Sequence, residues 1–150
     1  MKTIRDISLL LRPSMLDELG LLPALHWQAR EVGRRTGMVV SVHSSDEELE
    51  LPEAWRTAVF RVVQEALQNA ARHAAASAVE VGLARGGGQL RIIVTDNGRG
   101  FDPATTRGLG LLGMQERVAG LGGAVRLQSA PGQGTTVTAE LPLPTTTKES

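Results

Sequence analysis

Residues 52–74, PEAWRTAVFRVVQEALQNAARHA, carry the strongest helical pattern in the chain. Pro52 suits the first turn of a helix, where a missing N–H loses no partner. Set at 100° per residue, Trp55, Val59, Val62, Val63, Ala66, Ala70 and Ala74 fall in one broad arc. Such an arc predicts the face that packs on a sheet. Beside it run Glu65, Asn69, Arg72 and His73, at i, i+4, i+7 and i+8. A carboxylate, an amide, a guanidinium and an imidazole therefore line up at the border of the core. Two readings fit this stripe. It is a solvated helix face with incidental pairs, or it is a set of oxygen donors suited to Mg²⁺ followed by two groups suited to phosphate. Asn is a poor interior helix residue, so its place here needs a reason.

The remaining pattern supplies what the helix packs on. Residues 3–19 read as the end of one helix, interrupted at Pro13 and closed by Gly20, and Pro23 starts another that runs to about Arg35. MVVSV (38–42) reads as a strand, and the acidic stretch Asp46–Glu50 as a solvated connection. SAVEVGLAR (77–85) and QLRIIVTD (89–96) form a hairpin around Gly86, Gly87 and Gly88. After a glycine-rich loop come a helix at about 110–121 and a second hairpin, strands 124–129 and 134–143 around PGQG. Helices alternating with two hairpins predict an α+β fold, a two-layer sandwich. Its mixed, mostly antiparallel sheet of about five strands is covered on one face by about three helices.

Composition removes several function classes. The 150 residues contain no Cys, so neither a disulfide nor a thiolate metal site is available. Three scattered His residues do not make a zinc site. Sixteen basic residues balance sixteen acidic ones, which argues against a nucleic-acid partner held through phosphates. No apolar run reaches the ~18–20 residues of a membrane span, and the N-terminus lacks a signal-peptide core. The expectation is a soluble, cytoplasmic domain, whose parent protein could still be membrane-anchored.

Fourteen of the 17 glycines fall between residues 82 and 134. Asp96-Asn97-Gly98-Arg99-Gly100-Phe101-Asp102 follows a buried strand, where alternate glycines let backbone approach a ligand. A carboxylate at that strand end can accept a hydrogen bond from an exocyclic amine. Gly108-Leu109-Gly110-Leu111-Leu112-Gly113 matches the G-x-G-x-x-G spacing, but it follows a polar loop rather than a strand. A dinucleotide fingerprint is therefore excluded. Glycines at a helix N-terminus still present N–H groups to an anion. Gly132-Gln133-Gly134-Thr135-Thr136 is read by itself as a hairpin turn.

Taken in order, four motifs resemble those of the GHKL ATPases. Gln64 to Ala74 is similar to their N box, Asp96-Asn97-Gly98-Arg99-Gly100-Phe101 to the first glycine box, Gly108-Leu109-Gly110-Leu111 to the second and Gly132 to Thr136 to the third. Within that superfamily the phrase Gly108 to Arg117, with Leu11-Arg12-Pro13 and Leu19-Gly20-Leu21, resembles bacterial sensor histidine kinases of the nitrate-sensor-like subfamily. The resemblance covers about residues 5–143. It implies a Bergerat (GHKL) fold that binds ATP with Mg²⁺. Residues 1–20 would be a remnant of the second dimerisation helix and linker, 21–143 the catalytic domain and 144–150 a disordered tail.

The resemblance also implies roles. Asp96 would recognise the adenine amine, and Gly98, Gly100 and Thr135 would line its pocket. Asn69 would ligate Mg²⁺ while Glu65 positions metal-bound water. Arg72 and His73 would approach phosphates. Residues 102–107 would form a lid flanked by Gly108, Leu109, Gly110 and Leu111. The implied partners are ATP, the dimerisation and phosphoacceptor domain of a parent kinase, and through it a response regulator. One departure stands out: the family's acceptor phrase, His followed by an acidic residue, does not occur. His26 precedes Trp-Gln, His43 precedes Ser-Ser, and His73 belongs to the first motif. The expectation is a catalytic domain without its phosphoacceptor, unable to phosphorylate itself. The alternative is a stand-alone GHKL protein-serine kinase of the anti-sigma type.

Overall fold

The computed structural model describes residue 16 and residues 18–46, 49–72, 75–100 and 111–144. In chain order the elements are α1 (Leu21–Thr36), β1 (Val39–Ser44), α2 (Glu53–Arg72), β2 (Ala78–Gly86), β3 (Gln89–Asp96), α3 (Leu111–Ala119), β4 (Ala124–Ser129) and β5 (Thr135–Pro142). Leu16, Glu18 and Leu19 are helical as well. The sheet order is β1-β2-β3-β5-β4. Only β1 and β2 run parallel, because α2 carries the chain from one to the other. The other pairs are antiparallel.

Alternation along the strands decides which face is covered. β3 alternates without a break, with Leu90, Ile92, Val94 and Asp96 buried and Gln89, Arg91, Ile93 and Thr95 exposed. Val79, Val81 and Leu83 of β2 and Val137, Ala139 and Leu141 of β5 join the buried side. The helices close that face. α2 buries Val59, Val62, Val63, Ala66 and Ala70, as the wheel requires, and adds Ala58, Phe60 and Leu67. Its apolar face is wider than a single sheet contact needs because α1 packs against it too. Each fully buried Val, Leu or Phe among them contributes about 1.5–3 kcal/mol. Trp55 stays half-buried, and its indole N–H donates to the Pro142 carbonyl at 2.8 Å, tying the start of α2 to the end of β5.

The first hairpin turns on Gly87 and Gly88, with φ of 61° and 76°. Gly86 pairs with Gln89, so the turn has two residues, both in the left-handed region that such hairpins demand. The acidic connection differs from expectation. Asp46 pairs with Arg85 at 3.0 Å, and Leu49 and Leu51 are buried in the core. Two leucines within an acidic stretch anchor the link between β1 and α2, which is why it is not a free solvated loop.

One buried amide lacks compensation among the described residues: Gln28 of α1 is 4% exposed, and neither its Nε2 nor its Oε1 has a hydrogen-bond partner there. An unpaired buried amide costs about 1–3 kcal/mol. Gln28→Met should therefore raise the melting temperature by about 2–4 °C for each kcal/mol recovered. A fall in thermal melts would show that the amide is engaged in solution.

Glycines in the second hairpin make a separate test. Gly132 and Gly134 both have positive φ, 80° and 74°. A Cβ on Gly132 would meet nothing within 4 Å, whereas one on Gly134 would overlap the Asp96 carbonyl oxygen. Gly132→Ala should cost about 1 kcal/mol from backbone conformation alone. Gly134→Ala should cost clearly more, about 2–4 kcal/mol, because two backbones must separate. Equal denaturant midpoint shifts for the two variants would contradict the close approach of β3 and β5.

Candidate functional site

The register of β3 against β5 sets Asp96 opposite Thr135. Both are buried, at 9% and 8% exposure, although each is polar. They line a pocket of about 10 Å³ together with Asn69 and Ala66 of α2, Val94 of β3, Leu127 of β4 and Val137 of β5. This is room for about one water molecule. The floor is aliphatic, and the polar groups gather at the rim from three separate elements. A concave apolar surface with a few convergent polar groups is the usual form of a small-molecule site.

Each polar group is held by a local feature of sequence. The Gly98 N–H donates to Asp96 Oδ1 at 2.8 Å. Burial pushes the Asp96 carboxyl above the ordinary carboxylate value, and the N–H groups of Gly98 and Thr135 pull it partly back. Thr135 Oγ1 lies 2.9 Å from Ser129 Oγ, which donates to the Gly134 carbonyl at 3.0 Å. Asn97 locks the strand end from outside. Its Oδ1 accepts from the N–H groups of Ser77 and Ala78 at 2.9 and 3.0 Å, and its Nδ2 donates to Ser77 Oγ at 2.9 Å. The turn leaving α2 is thus fastened to the residue after Asp96.

The two glycine loops pack on each other. The Gly132 N–H donates to the Arg99 carbonyl. A Cβ on Gly100 would overlap the Ala130 carbonyl. Gly98 and Gly100 therefore act on the pocket by fixing Asp96 and the neighbouring loop, and the lining itself comes from Val94, Leu127 and Val137. Those three aliphatics, together with Asn97 and Ser129, carry no signal as single letters. Alternation with more exposed neighbours marks the inward face only for Val94, Leu127 and Val137.

Glu65 is half-buried on the stripe of α2 that bears Asn69, and Arg72 is exposed at the end of that helix. Leu111 opens α3 and packs partly buried against the core. His73, Gly108, Leu109, Gly110 and residues 102–107 lie outside the described residues. Among the described residues no group of three or more His, Cys, Asp or Glu side chains could hold a metal ion. The oxygens of Asn69 and Glu65 fit a magnesium ion only if it takes its other ligands from phosphate and water, as this ion commonly does.

The structure is thus a two-layer α+β sandwich with a buried carboxylate at the end of a central strand, sharing one pocket with a threonine and a helix-borne asparagine. The model of the histidine kinase-, DNA gyrase B- and HSP90-like ATPases matches residues 56–145, and the chain belongs to that family. It is 37% identical over 144 residues to the signal transduction histidine-protein kinase/phosphatase DegS of Brevibacillus brevis, covering 95% of this chain and 37% of DegS. It is 41% identical over 146 residues to the sensor histidine kinase MctS of Rhizobium johnstonii, covering 94% of this chain and 32% of MctS. The chain thus spans about a third of the length of these curated relatives. Among solved structures, the histidine kinase domain of the blue-light activated histidine kinase of Erythrobacter litoralis aligns with a TM-score of 0.65 at 27% identity, over 81% of this chain and 60% of that one. The catalytic domain of the histidine kinase ThkA aligns at 0.61 and 22% identity, over 79% and 92%, and shares the fold.

The burial of Asp96 has a pH signature. A folded-state value above the unfolded one means that ionised Asp96 weakens the apo fold at neutral pH. That penalty fades as pH falls through the folded value and is gone below the unfolded value, about 3.9. Asp96→Asn should therefore melt higher than the wild type at pH 7, with the difference shrinking towards pH 4. Melting curves from pH 3.5 to 8 check this. A variant that melts lower at every pH by a constant amount would contradict it.

Proposed function

We propose that this chain is the ATP-binding catalytic domain of a two-component sensor histidine kinase, supplying the γ-phosphate of Mg-ATP to a His on a separate dimerisation domain. The observation that carries the reading is the convergence of Asp96, Thr135 and Asn69 on one pocket, from two strands and one helix. Asp96 holds the exocyclic amine of adenine, because a buried carboxylate with two backbone N–H donors behind it presents only acceptors in front. The aliphatic floor of Val94, Leu127 and Val137 excludes water from the base. Asn69 and Glu65 stand on one helix stripe, where an amide oxygen and a carboxylate would hold magnesium and its water. Magnesium, when bound, neutralises charge on the transferring phosphoryl group. Arg72 lies at the end of the stripe, where it and its sequence neighbour His73 would approach the phosphates, and residues 102–107, flanked by Gly108 and Gly110, would form the lid.

The similarity to the histidine kinases DegS and MctS supports the kinase over a stand-alone serine kinase, and the phrase Gly108 to Arg117 supports the nitrate-sensor-like subfamily. The acceptor His, the dimerisation domain and a response regulator would be the partners in the whole protein. No helix among the described residues is long and apolar enough to cross a membrane. We place the domain in the cytoplasm, where ATP is available.

Thermal melts with and without Mg-ADP test the reading. At a nucleotide concentration 100 times the dissociation constant, binding should add about 2.7 kcal/mol, a shift of roughly 5–10 °C. No shift at millimolar Mg-ADP would sink it. Asn69→Ala removes the amide oxygen proposed here as a magnesium ligand and keeps a good helix former in its place. The part of the ATP-induced shift that depends on Mg²⁺ should largely disappear. An unchanged Mg²⁺ dependence would remove Asn69 from the metal site.

A further inference from the structure

The hydroxyl chain beside the pocket has a fixed direction. The Gly134 carbonyl can only accept, so the single proton of Ser129 Oγ is committed to it at 3.0 Å. At the 2.9 Å contact between Ser129 Oγ and Thr135 Oγ1, the proton must then come from Thr135. Thr135 lines the pocket, and Ser129 stands behind it on β4, its register partner across the β4–β5 pair. With its proton turned back into the sheet, Thr135 shows only lone pairs to the pocket. Asp96, the other polar group on that wall, is also an acceptor. The wall therefore offers two acceptors and no donor, which is the complement of an –NH₂ group carrying two hydrogens. A free threonine hydroxyl would be ambivalent, since it rotates to suit either partner.

We propose that Ser129 is a specificity-determining positioning residue: by accepting the Thr135 proton it fixes Thr135 as an acceptor, so that Asp96 and Thr135 together read both hydrogens of an exocyclic amine on the base. The proposal rests on the reading of this pocket as the base site. Ser129 does not line the pocket and acts on it through Thr135. Val at position 129 would keep the β-branched strand geometry that Thr offers and remove only the hydroxyl, so the two substitutions isolate it.

The experiment compares two probes on the full chain by calorimetry with Mg²⁺: ADP, and purine riboside diphosphate, which is ADP without the amine. The ratio of their dissociation constants measures how well the amine is read. Ser129→Thr should keep the wild-type ratio. Ser129→Val should narrow it by about three- to tenfold, the worth of one neutral hydrogen bond. Thr135→Val should narrow it similarly, and adding Ser129→Val to that variant should change it no further, because the two residues form one chain. A wild-type ratio in Ser129→Val, or an equal further loss in the Thr135→Val background, would overturn the proposal. If Ser129→Val fails to fold, Thr135→Val decides alone, and an unchanged ratio there overturns it. Failure of the wild type to bind ADP at all would instead remove the base-site reading.

Discussion

The pairing of β3 with β5 is the contact on which the rest of this molecule depends. It puts Asp96 opposite Thr135 and brings the backbone of Gly134 against the Asp96 carbonyl, so close that no Cβ fits between them. Two loops more than thirty residues apart in sequence are thereby held as one wall. Hydrogen bonds from Gly98 to Asp96, from Gly132 to Arg99 and from Ser129 to Gly134 then follow as consequences of that approach.

The same contact explains why a carboxylate can be buried here. Asp96 occupies an inward position of a strand that otherwise buries Leu90, Ile92 and Val94. Left without partners, a charge in that place would be strongly disfavoured. Two backbone N–H groups offset part of the desolvation, and what remains keeps its carboxyl above the usual range. A group held in this condition is a stored preference for a hydrogen-bond donor. Burial of Asp96 therefore works against the stability of the apo fold at neutral pH.

Asn97 and Ser129 show how such a wall is kept rigid from behind. Neither lines the pocket. Asn97 fastens the start of β2 to the end of β3 through three hydrogen bonds. Ser129 spans the β4–β5 turn. Both are short polar side chains next to a turn, a setting in which Asn and Ser commonly bond local backbone. Side-chain identity alone does not separate these two from any other turn residue.

Much of this was legible in the chain itself. Period-3.6 patterning placed α2 and its inward stripe, because the same residues that pack on the sheet repeat every turn. Strict alternation placed β3, and the run Gly86-Gly87-Gly88 marked a hairpin turn, of which the structure makes Gly87 and Gly88 the two-residue loop. Motif order pointed to Asp96, Asn69 and Thr135 as one site. What the chain did not disclose was the order of strands. β5 inserts between β3 and β4, and two hairpins with the same local sequence pattern could pair along either edge. Only burial of the common face, with Gly134 admitting the close approach, selects the arrangement. Pocket lining by Leu127, the buried leucines of the acidic connection and the direction of the Ser129–Thr135 hydrogen bond follow from that choice. They depend on which surfaces meet, and a one-dimensional pattern records only which surfaces are able to.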